Sequence, residues 1–239
     1  KAGGVLNANT TADRTYDYEV LPSNQLELGL WLESERMLHA KVDQKGVDTQ
    51  REVVKEERRQ RYENQPYGTI LLEALDRAYT THPYKWPTIG FMEDLNAATE
   101  ADYQAFYKRF YVPNNAVLVI AGDIDPVKAR EQVTRYFAGI PRGAAVAQPQ
   151  VVDPGPTAET RAVIHDRIQL PAVVLSYRIP PTGSADFYAV ELVNRLLSGG
   201  NSSRLNRALK DQQQKAIATG AFSLPALQGA AQATRAIAA

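Results

Sequence analysis

The 239 residues include 44% hydrophobic side chains, with 27 Lys plus Arg balanced by 27 Asp plus Glu. That composition excludes a disordered chain and gives no net field for nucleic acid or an anionic membrane; the length suits one large or two modest domains, and two are expected. There is no cysteine, so disulfides, thiolate metal sites and a cysteine nucleophile are excluded, and any metal must be held by His and carboxylates. No stretch reaches the roughly 20 apolar residues of a transmembrane helix, and Lys1-Ala-Gly-Gly-Val5, without an initiator Met, reads as a processed or truncated start.

In chain order, Asn7 to Glu19 alternates small, polar and aromatic residues and is expected to be an extended strand, ended by Pro22-Ser-Asn24. A helix follows over Leu26 to Leu38, then one over Val47 to Glu63, then one over Tyr67 to Tyr79, which the loop Thr81 to Gly90 ends. Thr99 with Asp102 is a capping signature for a helix bearing Tyr103, Phe106, Tyr107 and Phe110. Ala116-Val-Leu-Val-Ile-Ala121 has the pattern of a buried strand, and Pro126 opens a helix that runs through Phe137. Residues 139–160 are rich in Pro and Gly and read as a linker. Beyond them strands are expected at Arg161 to Asp166 and Ala172 to Arg178, then a helix from Ser184 to Leu197, the turn Gly199 to Leu205 and a further helix. The last fifteen residues are Ala-rich and without pattern.

The stretch Thr49 to Glu63 is the most suggestive. Thr49 and Glu52 fit a capping box, and with the helix so placed Gln50, Val53, Val54 and Glu57 share one face, Glu56 lying about 100° away. A carboxylate on an apolar stripe needs a cation, either a metal or a neighbour such as Arg61 at i+4. Other candidates read as bland: His39, His82 and His165 are solitary, Gly199-Gly-Asn-Ser-Ser-Arg204 lacks the lysine of a phosphate loop, and Arg58, Arg59 and Arg61 alternate with acids as on a solvated helix face.

Several motifs together resemble the pitrilysin-type (M16) zinc peptidases: Asn7-Ala-Asn-Thr10, Asp13-Arg-Thr-Tyr16, Glu35-Arg-Met37, Gln50 through Arg59, Pro66-Tyr-Gly68, His82-Pro-Tyr84, Thr88-Ile-Gly90, Pro113-Asn-Asn-Ala116 and Gly122-Asp123. The segment Gly199 to Leu205 resembles the start of the family's following, noncatalytic domain. The resemblance implies an α+β fold of two related α/β-sandwich-type units, their mixed or antiparallel sheets packed with helices. It divides the chain into residues 1–142, the C-terminal portion of a catalytic-type domain; 143–160, a linker; and 161–239, the start of a second domain.

In that family an inverted His-x-x-Glu-His motif supplies two zinc ligands and the general base, and a later glutamate is the third ligand. By the match Glu57 is that third zinc (Zn2+) ligand, Gln50 stands where a residue tunes it, and Asn7, Ala8, Asn9 and Thr10 occupy the edge strand that receives an extended peptide substrate. No His-x-x-Glu-His occurs in these 239 residues, and counting back from Glu57 places it, with the general base, before Lys1. The resemblance therefore implies a zinc-dependent endopeptidase of peptides or unfolded segments, with an enclosed cavity completed by another M16 chain or domain. The alternative is a noncatalytic homologue serving as a structural or peptide-binding subunit. Bacterial relatives of this type are often exported, and a Cys-free chain is compatible with the periplasm.

Overall fold

Two acidic strand positions and one arginine organise the start of the chain. In the computed structural model, which describes residues 2–228 and 230–238 (of 230–236 and 238 the backbone alone), β1 (Val5–Thr10) and β2 (Thr15–Val20) form an antiparallel hairpin in which Val5 faces Val20 and Thr10 faces Thr15. The single strand expected over Asn7 to Glu19 is thus two, because the polar residues 11–14 reverse the chain in the middle of the pattern. Period-2 alternation puts Asp17 and Glu19 on one face of β2, and Arg36 of α1 (Leu26–His39) answers them: Nη1 lies 2.6 Å from Asp17, and Nη2 lies 3.9 Å from Glu19 and 2.7 Å from Glu33.

Three carboxylates share one guanidinium there, and a buried oxygen of Glu19 has no hydrogen-bond donor among the described residues. Loss of solvent raises the Glu33 carboxyl above its ordinary range; Arg36 pulls it down, and Glu19 and Asp17 push it up again. A raised folded-state value means a stabilising contribution present at pH below the unfolded carboxyl and lost as pH rises through the folded one. Glu33→Gln is therefore expected to raise the Tm by about 1–3 °C at pH 7.5 and to change it little at pH 4. Calorimetry at the two pH values checks this, and an equal shift at both would contradict it.

The next helix, α2 (Gln44–Arg58), starts earlier than its sequence pattern suggests. Asp43 caps it, accepting from the Gly46 amide at 2.8 Å, whereas Thr49 lies inside the helix and donates back to the Lys45 carbonyl. The Thr49–Glu52 capping box is therefore not formed, and Glu52 instead pairs with Lys55. Both starts satisfy the capping rule; the polar run Gln44-Lys45-Gly46 hides the first turn from a search for apolar periodicity. A π-helical turn (Arg59–Glu63) continues the helix.

After α3 (Ile70–Ala78) come the short α4 (Met92–Ala97), which the sequence did not reveal, and α5 (Glu100–Phe110), whose Thr99–Asp102 capping box is formed as expected. The stretch Ala116–Ala121 is not a strand: Val117 is 90% exposed and Val119 75%. Its apolar side chains have no sheet to join among the described residues. Asp125 caps α6 (Pro126–Phe137), accepting from the amides of Val127 and Lys128.

Residues 161–166, expected to be a strand, are likewise irregular and exposed. β3 (Ala172–Ile179) and α7 (Ala185–Ser198, capped by Ser184) fall where the pattern put them, and a second π-helical turn occupies Asn206–Gln212. β4 (Ala216–Leu224) and β5 (Ala230–Ala238) complete an antiparallel sheet of order β3-β5-β4. The Ala-rich end is therefore the central strand: pairing on both edges overrides the weak strand preference of alanine.

The fold is α+β, and the chain divides into two compact units. The first gathers residues 1–10, 14–55 and 91–150, the second residues 11–13, 56–90 and 151–239. The first has Leu30, Val47 and Ala129 among its buried residues. In the second, Ala78, Tyr79, Tyr84 and Ala226 form one cluster, and Ile179 and Phe187 another.

Candidate functional site

Helix α2 is fixed by its arginines. Arg51 donates from Nε to the Leu95 carbonyl at 2.8 Å and from Nη2 to that of Ala98 at 2.6 Å; Arg58, about two turns further on, donates to the Gly90 carbonyl at 2.7 Å and pairs with Glu63 at 3.2 Å. Charge-assisted bonds to carbonyls at the ends of other segments hold a helix in register better than apolar contact alone. Glu57 sits between these anchors and two residues before the π-helical turn, a distortion that often marks functional positions.

The carboxylate of Glu57 is 39% exposed, and its Oε1 lies 3.1 Å from Nη1 of Arg61. Its face of the helix is less apolar in its surroundings than the register implied: Gln50 is exposed, Val53 is 53% exposed and only Val54 is half-buried. The expectation of a buried stripe is corrected here, since Val53 keeps more than half of its surface exposed. The cation beside Glu57 in this structure is Arg61.

Zinc binding needs several donors converging on one point. Among the described residues no group of three or more His, Asp or Glu side chains is placed to hold a metal ion. His39 is exposed and bonds Glu35 at 3.0 Å; His165 is exposed in the loop before β3; His82 is buried and used otherwise. The residues present offer one carboxylate and no imidazole at Glu57, so by themselves they do not fit zinc.

Residues Asn7, Ala8, Asn9 and Thr10 lie along β1, all exposed, paired on one side with Tyr18, Asp17, Tyr16 and Thr15. The sheet has two strands among the described residues, so no strand pairs with the other edge of β1, where the Ala8 amide donates to Asn7 Oδ1 at 2.8 Å.

A densely satisfied polar site among the described residues was not visible in the sequence. Asp153, with a side chain of zero exposure, accepts through Oδ2 from three successive amides, Thr80, Thr81 and His82, each at 2.8 Å. Through Oδ1 it accepts from the Gly155 amide at 2.7 Å, the Thr80 hydroxyl at 3.0 Å and Arg178 Nη1 at 3.0 Å. Loss of solvent alone would raise this carboxyl; the amides of His82, Thr81, Gly155 and Thr80 outweigh that and hold it well below the usual carboxylate range.

Beside it, His82 Nδ1 accepts from the Tyr84 amide at 3.1 Å, so the ring proton belongs on Nε2, facing Gln228 Oε1 at 3.2 Å. Tyr84 donates its hydroxyl to Asp13 at 2.5 Å; burial first, and that bond second, push its phenol up to about 12. This network fastens the loop after α3 and leaves His82 no free nitrogen for a metal. His82 packs against the Tyr84 ring, with centroids 4.1 Å apart, while Trp86 stays 59% exposed. The only sequence signal was the run of turn formers in Asp153-Pro-Gly155.

Comparison with known proteins supplies a frame for this geometry. Residues 97–232 match the family model described as the peptidase M16 inactive domain. The chain is similar to the zinc protease PqqE of Helicobacter pylori, 34% identical over 224 residues that cover 92% of this chain and 50% of that protein. Among solved structures it is similar to a protease from Helicobacter pylori, with a TM-score of 0.93 and 29% identity over 100% of this chain and 58% of that one. It shares its fold with the first half of the periplasmic protease PqqL from Escherichia coli, with a TM-score of 0.69 and 21% identity over 98% of this chain and 52% of that one. The chain thus spans about half the length of the relatives it matches.

Proposed function

We propose that this chain, which belongs to the peptidase M16 family, is part of a zinc-dependent endopeptidase that cleaves peptides or unfolded polypeptide segments. Glu57 contributes one carboxylate to a zinc site whose histidines and general base lie outside these 239 residues. The observation that carries this reading is the placement of Glu57: half-exposed, on a helix locked by Arg51 and Arg58, and answered among the described residues by the side chain of Arg61, itself 68% exposed. A carboxylate required only for a salt bridge needs no such fixing.

The unpaired edge of β1 at Asn7 to Thr10 is suited to an extended substrate, which would add its backbone as a further strand. Such recognition reads main chain, and it excludes folded proteins. Gln50, about two turns before Glu57 on the same side of α2, serves in this reading as the residue that tunes the ligand. Residues 1–142 then belong to a catalytic-type domain and residues 161–239 to the start of a second one, joined by 143–160. Another M16 chain or domain completes the cavity. The likeness to PqqL and the Cys-free composition support a bacterial, periplasmic protein.

A second reading is favoured by the description of the matching model as inactive: a noncatalytic subunit that holds peptide for an active partner. Among the described residues, no helix is long and apolar enough to cross a membrane, and neither reading needs one.

The full-length protein decides between them. It is expected to cleave an unfolded fluorogenic peptide and spare folded proteins, to stop on chelation and to resume when zinc is restored. Full-length protein that retains no zinc and cleaves nothing would leave the noncatalytic reading.

A further inference from the structure

In the second compact unit a cavity of about 270 Å³ lies between α7 and β4, and the two opposite charges on its wall are not paired. Glu191 and Arg195 stand four residues apart on α7, acid first, the order and spacing in which a helix ordinarily pairs such groups. Glu57 with Arg61 and Glu73 with Arg77 share that spacing and do pair. Glu191 and Arg195 line the cavity instead, and neither forms an ion pair with a described residue.

The wall between the two charges is held in place. Asn194, only 6% exposed, donates from Nδ2 to Ser223 Oγ at 2.6 Å across to β4, and its backbone carbonyl accepts from the Ser198 hydroxyl at 3.3 Å. Asn194 Nδ2 also comes within 3.5 Å of Glu191 Oε1, the outer limit of a hydrogen bond, so the carboxylate keeps most of its acceptor capacity. Because Ser223 Oγ accepts from Asn194, its own proton is left to donate, and no acceptor among the described residues takes it. Ala221 and Phe222 add apolar surface beside these groups.

We propose that this cavity binds a small zwitterion, a free α-amino acid with an apolar side chain. Its carboxylate meets Arg195 and the Ser223 hydroxyl, its ammonium group meets Glu191, and its side chain lies against Ala221 and Phe222. The sign of the wall selects the class: a simple anion would face Glu191 and a simple cation would face Arg195, whereas a ligand carrying both charges is complementary to both. Size selects the single amino acid. Four residues of helix rise about 6 Å, a span that two side chains close around one amino acid, and each residue added to a peptide parts its terminal charges by about 3.5 Å more. The volume also falls below the roughly 300 Å³ at which pockets for larger ligands begin. The site uses neither zinc nor Glu57 and does not rest on the proposed peptidase function.

Ligand-observed NMR titration of the full-length protein tests it with L-leucine, with leucinamide, which lacks the carboxylate, and with 4-methylpentanoate, which lacks the amine. Leucine is expected to half-saturate below about 1 mM, and each of the other two to bind more than about 10-fold more weakly. Arg195→Met is expected to erase the preference for leucine over leucinamide and to keep that over 4-methylpentanoate; Glu191→Gln is expected to do the converse. Absence of leucine binding up to about 20 mM, equal binding of the three ligands, or leucine binding that neither variant alters would overturn the proposal. So would tighter binding of glycyl-leucine than of leucine, which would make a peptide the occupant. The readout is separate from peptidase activity: a protein that binds leucine at this site and cleaves nothing would sink the proposed function and leave this inference standing, and a zinc peptidase without leucine binding would do the reverse.

Discussion

Asp153→Ala should destabilise the second compact unit by roughly 3–5 kcal/mol, which for a chain of this size lowers the Tm by about 10 °C or more. The size follows from what is left behind. The Asp153 side chain has zero exposure and takes bonds from four amides, two threonine hydroxyls and a guanidinium. Removing it strands the successive amides of 80–82, and an orphaned donor costs more than a made bond gains, whereas Arg178 keeps its bond to the residue 153 carbonyl at 2.9 Å. Because the carboxyl is held low in the folded state, its contribution is present at all pH values above that of the unfolded carboxyl and fades only as the pH falls through the folded one.

Arg178→Met discriminates between charge pairing and amide binding at this site. It removes one donor of seven and leaves the amides with their acceptor, so it should cost less than half as much. Equal losses from the two variants would make the ion pair, and not the amides, the source of stability. Denaturant unfolding of both variants at neutral pH reads the difference.

Local rules with a single solution were legible in the sequence. The Thr99–Asp102 box, Asp125 before Pro126 and Ser184 before α7 each place a polar acceptor immediately before an apolar period, and the helices start there. Where two solutions compete, sequence could not choose: Asp43 and Thr49 both precede helical pattern, and the earlier one caps α2. β5 was invisible because its strand character comes from two neighbours and not from its own alanines. The Asp153 clamp was invisible for a related reason, since the three successive amides it binds lie more than seventy residues back along the chain. Glu57 was singled out by helical register and by family resemblance, although register alone overstated the burial of its face. The strand pattern of 116–121 raises the opposite problem: the sequence describes an environment that the described residues do not provide.

Glu57→Gln in the full-length protein should weaken zinc binding by more than about 100-fold and lower peptidase activity in step, because the loss of a direct ligand should exceed the roughly 10–100-fold cost of losing a supporting residue. Glutamine keeps the shape of the side chain and removes the charge a divalent cation needs, so the fold should survive while the site does not. The competing account is that Glu57 exists for Arg61. That pair spans i to i+4 on one helix with Arg61 68% exposed, and such pairs stabilise by about 0.3–0.5 kcal/mol. On that account Glu57→Gln and Arg61→Ala would have equal, barely measurable effects on stability, and neither would touch metal content. On the ligand account the two variants separate. Arg61→Ala should keep zinc and activity within about twofold, since it removes only a weak competitor for the carboxylate. Metal content and peptide cleavage measured on both variants therefore settle which cation Glu57 serves, and a Glu57→Gln protein that still carries zinc and cleaves peptide would remove Glu57 from the site.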